Sequence, residues 1–242
     1  MARAVASGEL PGQVERLLAR QVEGLILLGL GPREASLLDG PLARAGCPAV
    51  LCGAAPADFP AAQVGVDQRE GMRLAAAHLL DLGHRRFAYL DAAPDSWPYG
   101  PRREGFQAAL DALDRAPEAL VVTTDGGSAG GYQAGERLLE GVDRPTAFLC
   151  ANDAIAVGLL RAAWRRGVRV PEQAAVVGFG DHPVAAYSVP TLTTVRGSLQ
   201  AAGAMSGRLL VQAVRDSERP RGVYHLAPKL VIRESCGSHL WL

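Results

Sequence analysis

The stretch Val170–Arg196, VPEQAAVVGFGDHPVAAYSVPTLTTVR, sets a buried strand directly against a polar loop. Its apolar run Ala174–Gly178 passes straight into Phe179, Gly180, Asp181 and His182. Two other segments have the same form: FLCANDAIAVG at 148–158 and FAYLDAAPDSWPYGPRREGF at 87–106. Each is a short apolar run that ends in polar residues and leads into a helical pattern. In an open α/β sheet, ligands bind just beyond the carboxyl ends of the strands. Three such strand ends, side by side, make a pocket floor.

The same alternation runs the length of the chain and predicts parallel strands joined by crossover helices. A first helix is expected over about 11–22, with Val14, Leu17, Leu18 and Val22 on one face. Strand Leu25–Leu28 follows, then a helix over Pro32–Ala45 closed by Gly46, and strands Ala49–Leu51 and Gln63–Val66. The next helix, Gln68–Leu82, stops at Gly83, because only glycine enters the left-handed region cheaply. Strands Phe87–Leu90, Leu120–Thr123, Ala147–Cys150 and Ala174–Gly178 then alternate with helices at 102–114, 131–140 and 153–166. A last helix covers 199–215, and 223–234 reads as strands.

The totals exclude several classes. With 242 residues, 48% of them hydrophobic, the chain can bury one large or two small cores. Twenty-five basic residues balance twenty-five acidic ones, so charge gives no reason to expect a nucleic-acid wrap by this chain. No run approaches the roughly 18 apolar residues of a membrane span. The start, MARAVASGELPGQVERLL, lacks the continuous apolar segment of a secretory signal, which points to the cytoplasm. Cys47, Cys52, Cys150 and Cys236 show no metal-ligand spacing, so neither a metal nor a cofactor is expected. Gly29-Leu30-Gly31 follows a strand, but Glu34 stands where the dinucleotide fingerprint needs glycine. The Gly126–Gly131 cluster lacks the Lys-Ser/Thr of a phosphate loop, and no GxSxG elbow is present. No catalytic residue, and no enzyme, is expected.

An ordered set of segments resembles the effector-binding core of the LacI/GalR transcription regulators: LARQVEGLILL (18–28), HLLDLGHRRFAYL (78–90), RREGFQAAL (102–110), PTAFLCANDAIAVGLL (145–160), VPEQAAVVGFGDHP with PTLTTV (190–195), and LAPKLVIRES (226–235). The resemblance covers about residues 14–235 in order. It implies an α/β fold of two Rossmann-like lobes of parallel sheet flanked by helices, of the periplasmic-binding-protein-like type I. Chain crossings near Val66/Asp67, Arg196/Gly197 and Ala227/Pro228 then assign 1–66 plus 197–227 to the N-terminal lobe. The C-terminal lobe takes 67–196 plus 228–242. Nothing at the start resembles the family's helix-turn-helix or hinge helix, and its first strand, first helix and second strand also find no counterpart. The expectation is therefore an incomplete N-terminal lobe in a chain without its DNA reader.

The resemblance implies a sensor that binds a sugar or sugar acid between its lobes, forms a homodimer, and reaches operator DNA only through a helix-turn-helix that this chain lacks. Arg102 would hold sugar hydroxyls or a ligand carboxylate, its planar fork suiting bidentate contacts. Asn152 would point at the ligand and Asp153 would brace the loop, although either type of residue is a normal helix N-cap. Many relatives carry two successive acids where this chain has Gly180-Asp181, and the first acid usually binds the sugar. For Asp181, ligand contact and turn capping both stay open. The glycine opens space and removes a negative charge, which tilts the ligand towards a sugar acid, as in the gluconate-regulator branch. Trp97, in the loop before Arg102, would offer an aromatic wall for the sugar ring. Arg196 would reach the ligand or hold the hinge. Two other functions share the frame, a sugar-binding protein of a transporter and an α/β enzyme. The missing export signal and the GHRR and LTTV wording weigh against the first, and the lack of a nucleophile–base pair against the second.

Overall fold

Two parallel sheets divide the chain, and each closes a core of its own. The computed structural model describes residues 9–53, 58–92, 98–113, 117–216 and 219–238. One unit takes the chain up to Val66 together with Ser198–Leu226; the other takes Asp67–Gly197 and the chain from Ala227 on.

The smaller unit is built from α1 (Leu10–Leu18), β1 (Leu25–Leu28), α2 (Pro32–Ser36), α3 (Asp39–Ala45), β2 (Ala49–Cys52) and β3 (Ala62–Val66). The later segments α9 (Leu199–Asp216) and β9 (Val223–Leu226) complete it. Its strands lie in the order β1-β2-β3-β9, every neighbouring pair parallel. Because successive side chains of a strand point to opposite faces, Leu25, Leu27, Ala49 and Leu51 face one way and pack with Val14, Ala35, Leu38 and Leu42 of the first three helices. Val50, Ala62 and Val64 face the other way and pack against Ala202, Met205 and Leu209 of α9.

This arrangement corrects the expectation of an incomplete N-terminal lobe. Four strands pair in register; the first three helices cover one face, and α9 covers β2 and β3 on the other, where Ile26 and Leu28 of β1 stay exposed. Two boundaries also differ from those expected. The helix over 32–45 is broken in two at Leu37 and Leu38, and the buried Leu38 packs into the core at the break. The first helix ends at Leu18 rather than near Val22, and Gln21 takes a left-handed φ of 56° in the turn that follows.

The larger unit carries α4 (Gln68–Asp81), β4 (Arg86–Asp91), α5 (Tyr99–Asp111), β5 (Glu118–Thr123), α6 (Ser128–Leu138), β6 (Ala147–Cys150), α7 (Asp153–Arg166), β7 (Ala175–Phe179), α8 (Pro183–Tyr187), β8 (Thr193–Arg196) and β10 (Lys229–Val231). The strand order is β10-β8-β7-β6-β4-β5, parallel except where β10 runs antiparallel to β8. Its core is dominated by Phe87, Tyr89, Phe106, Phe148, Leu149, Ile155 and Leu159, all buried. Among the described residues, no helix is long and apolar enough to cross a membrane.

Three glycines set how closely the helices lie. A Cβ at Gly105 would sit 2.0 Å from the Arg69 carbonyl oxygen, so α5 meets α4 backbone to backbone. A Cβ at Gly131 or Gly158 would lie 2.1 Å from the carbonyl oxygen of Ile155 or Ser128, so α6 and α7 meet in the same way. The strand order then fixes the site. β4 pairs with β5 on one side and β6 on the other, so the chain leaves the two central strands in opposite directions. Such a switch point opens a crevice at the carboxyl ends of those strands.

Candidate functional site

Arg102 crosses the switch point. It lies near the start of α5, yet only 8% of it is exposed, because the helix begins at Tyr99 and turns this side chain inward. Its Nε donates to Gln68 Oε1 at 2.8 Å, and Nη1 donates to the Ala151 carbonyl, just past β6, at 2.5 Å. The guanidinium carbon lies 3.8 Å from the centre of the Phe179 ring and 5.5 Å from that of Tyr99. Burial pushes its pKa down to about 10, with Tyr89, Tyr99 and Asp153 partly offsetting that, so the group stays charged at neutral pH. Both of its hydrogen-bond partners are uncharged groups.

Asn152 is the N-cap of α7: its Oδ1 accepts from the Ile155 N–H at 2.8 Å. Its Nδ2 donates to the Gly126 carbonyl at 2.9 Å. The cap therefore falls to Asn152, and Asp153 is left for a different task. Asp153 is fully buried. Its Oδ1 accepts from Thr194 Oγ1 at 2.5 Å, and its Oδ2 accepts from the His182 N–H at 2.8 Å and lies 3.2 Å from His182 Nδ1. It ties the loop after β7 to β8.

Asp181 is turned away to the arginines. Its carboxylate accepts from Arg233 Nη2 at 2.6 Å and from Arg196 Nε, and the residue takes a left-handed φ of 52°. Burial raises its pKa, but the two arginines outweigh burial and hold the carboxyl below its ordinary value. A carboxylate with a depressed folded pKa contributes stability above its unfolded pKa of about 3.9, and that stability is lost as pH falls through the folded value. Asp181→Asn should therefore melt below wild type at pH 7. The gap should close on acidification below about pH 4. Thermal melts of both proteins across that range measure it; a gap that does not change with pH would refute the ion-pair account.

Arg102, Asn152 and Asp153 line a cavity of about 310 Å³ together with Pro98, Tyr99, Ala154, Phe179, Gly180, His182 and Val184. Its size and mixed lining suit a small ligand. A larger hollow, about 550 Å³, runs along one face of α9 and gathers no buried polar group. Trp97 lies outside the described residues. Of the sequence-derived candidates, the structure brings Arg102, Asn152 and Asp153 together around the cavity and directs Asp181 to Arg196 and Arg233. Sequence reasoning missed Gln68 and His182. The signal for His182 was Gly180: with φ 130°, a Cβ there would lie 2.5 Å from the His182 ring, so the glycine makes room for the imidazole. Among the described residues, no cluster of His, Cys, Asp and Glu could hold a metal ion.

Comparison with known proteins agrees with this geometry. The family profile described as "Periplasmic binding protein-like domain" matches residues 76–236. An HTH-type transcriptional regulator in the aml 5′ region of Streptomyces limosus is 34% identical over 231 residues, covering 92% of this chain and 65% of its own length. The crystal structure of a regulatory protein of the LacI family from Chloroflexus aggregans superposes with a TM-score of 0.86 at 29% identity, over 96% of this chain and 84% of that one. A transcriptional regulator solved as a CelR–cellobiose complex gives 0.80 at 29% identity, over 95% and 71%. These relatives are transcriptional regulators rather than enzymes.

The matches correct two more expectations. The lobe expected to be incomplete is matched along with the rest, since the Chloroflexus regulator follows this chain over 96% of its residues. The expectation that it lacks its DNA reader, and so meets operator DNA only through a missing element, does not stand either. A relative named for its helix-turn-helix matches 92% of the chain. The chain spans about 65% of that relative's length.

Proposed function

This chain belongs to the periplasmic binding protein-like family of LacI/GalR-type transcriptional regulators, and from that we propose that it senses a sugar or a sugar acid. The ligand occupies the cavity at the switch point of the larger unit. There it shifts the balance between conformers that differ in operator affinity, a coupling that requires the ligand to bind one conformer better than the other. The regulator acts in the cytoplasm as a homodimer. A relative solved with cellobiose supports a carbohydrate as the ligand class.

The observation that carries this reading is Arg102. A guanidinium has five N–H donors; Gln68 and Ala151 take two, which leaves three for a ligand. The Phe179 ring centre lies 3.8 Å from the guanidinium carbon, and with the two hydrogen bonds this holds the group in place before the ligand arrives. Tyr99 adds an aromatic edge to the same cavity.

Calorimetric titration with mono- and disaccharides, sugar acids and purine bases tests the proposal. At least one carbohydrate should bind, and Arg102→Ala should weaken it about 10- to 150-fold, the loss of a charge-assisted hydrogen bond. Binding by a purine alone, or by nothing in the panel, would overturn the carbohydrate reading.

A further inference from the structure

Cys236 stands apart from the other three cysteines, although all four are free thiols. Burial raises the pKa of Cys47, Cys52 and Cys150. Cys236 is only 2% exposed, and burial alone would raise it in the same way. Hydrogen bonds from His78, Ser238 and Thr193 outweigh burial and bring it down to about 6. Three separate parts of the chain meet at this sulfur. Sγ lies 3.5 Å from Nε2 of His78, in the last turn of α4, and 3.1 Å from Ser238 Oγ. Ser238 Oγ is itself 3.0 Å from His78 Nε2, so sulfur, hydroxyl and imidazole close a triangle. Thr193, at the start of β8, supplies the third side-chain contact. None of these residues lines the cavity of Arg102.

Among the described residues in contact with the sulfur, His78 is the one that titrates. A thiol beside an imidazole can pass it a proton, and the thiolate is the nucleophilic form. The cluster is also tied into the sheet. Cys236 closes a 3-10 turn, Glu234–Cys236. Ser235, buried in that turn, donates to the Val176 carbonyl at 2.6 Å and accepts from the Thr193 N–H at 2.9 Å. Arg233, the residue before the turn, holds Asp181 and the Leu192 carbonyl.

We infer that Cys236 is a hydroperoxide-reactive thiolate, activated by His78 and Ser238. The thiol proton passes to His78 Nε2. The thiolate attacks the outer oxygen of a hydroperoxide: an S–O bond forms, the O–O bond breaks, and sulfur loses two electrons to the peroxide. The leaving alkoxide or hydroxide takes the proton back from His78, which gives a sulfenic acid and an alcohol or water. A sulfur this well covered admits only a small oxidant, so hydrogen peroxide is the fitting member of the class. The added oxygen has to be fitted among the contacts of the turn, next to the arginine that holds Asp181.

The test adds hydrogen peroxide at about pH 6 to the folded chain and to the same chain in denaturant. Dimedone traps the sulfenic acid, peptide mass spectrometry follows each cysteine, and each rate is divided by that of glutathione in the same solution. At that pH about half of a thiol of pKa about 6 is ionised, against roughly 0.3% of an ordinary one, and the lower basicity of the thiolate leaves a net gain of about tenfold. Cys236 should therefore react about tenfold faster folded than unfolded, and Cys47, Cys52 and Cys150 no faster. His78→Gln, which keeps a donor but cannot take the proton, should remove most of the gain, and Ser238→Ala part of it. A folded wild-type rate at or below the unfolded one means that burial governs the sulfur, and overturns the inference without recourse to any variant. A gain that survives His78→Gln unchanged refutes activation by His78.

Discussion

Gly105→Ala is expected to cost the larger unit about 3 kcal/mol of stability, the upper part of the range for overpacking a tight interface. The reason is the contact between α5 and α4. The new methyl would stand 2.0 Å from the Arg69 carbonyl oxygen, with the Arg69 carbonyl carbon 2.9 Å away. Both are backbone atoms of a helix, so no flexible side chain can yield and the two helices must part. For a unit of this size the melting temperature should fall by about 6–12 °C. Gly12→Ala in α1 is the matched control, since nothing lies within 4 Å of its Cβ position. There the substitution should be neutral or stabilising by up to about 1 kcal/mol, because alanine is the better helix former. Thermal melts by circular dichroism compare the two; a Gly105→Ala protein melting within about 2 °C of wild type, no more than the shift of a roughly 1 kcal/mol change, would mean that the helices are not in backbone contact.

Asp153→Ala is expected to be the most damaging single change at the site, costing about 3–5 kcal/mol, because two hydrogen bonds to a buried carboxylate are lost together. Its carboxylate accepts from the Thr194 hydroxyl and the His182 backbone N–H. Removing it leaves those donors without their partner, and each buried orphan is itself costly. Gly178 is shaped around the same group, because a Cβ there would lie 2.4 Å from Asp153 Oδ1. Asp153→Asn should retain part of the stability, since its oxygen still accepts while its amide N–H₂ opposes one donor. Denaturant unfolding of the three proteins gives the order wild type, Asn, Ala. Equal stability for Ala and wild type would remove Asp153 from its bracing role.

Much of the architecture could be read along the chain because the inner strands β4, β6 and β7 of the larger unit are short, buried, largely apolar runs. Phe148–Cys150 and Ala175–Phe179 are buried throughout, and their sequences say so without help from the rest of the fold. The break at Leu37–Leu38 was not visible. Both leucines fit a continuous helical stripe, and only packing of Leu38 into the smaller core shows where the helix divides. The pairing of the smaller unit was hidden for a different reason. The order of elements along the chain says nothing about which strands lie side by side, and four of them pair there in register. At the site, Arg102 carried a legible signal in its motif. The division of labour between Asn152 and Asp153 did not, because either can cap a helix; it is decided by Thr194 and His182, which lie 41 and 29 residues away from Asp153. His182 had no local signal beyond the glycine two places before it.

The backbone contact between α6 and α7 has a consequence for hydrogen exchange. Gly131 lies against Ile155 and Gly158 against Ser128, so each helix screens the other's first turns from water. Amides there become accessible only when the two helices separate, and the pair shares one opening free energy in place of two independent fraying equilibria. Asn152 extends that unit to the cavity, because it caps α7 and also binds the Gly126 carbonyl just before α6. A ligand that takes up its remaining amide proton therefore slows exchange along both helices at once, although it touches only one residue of the tie between them.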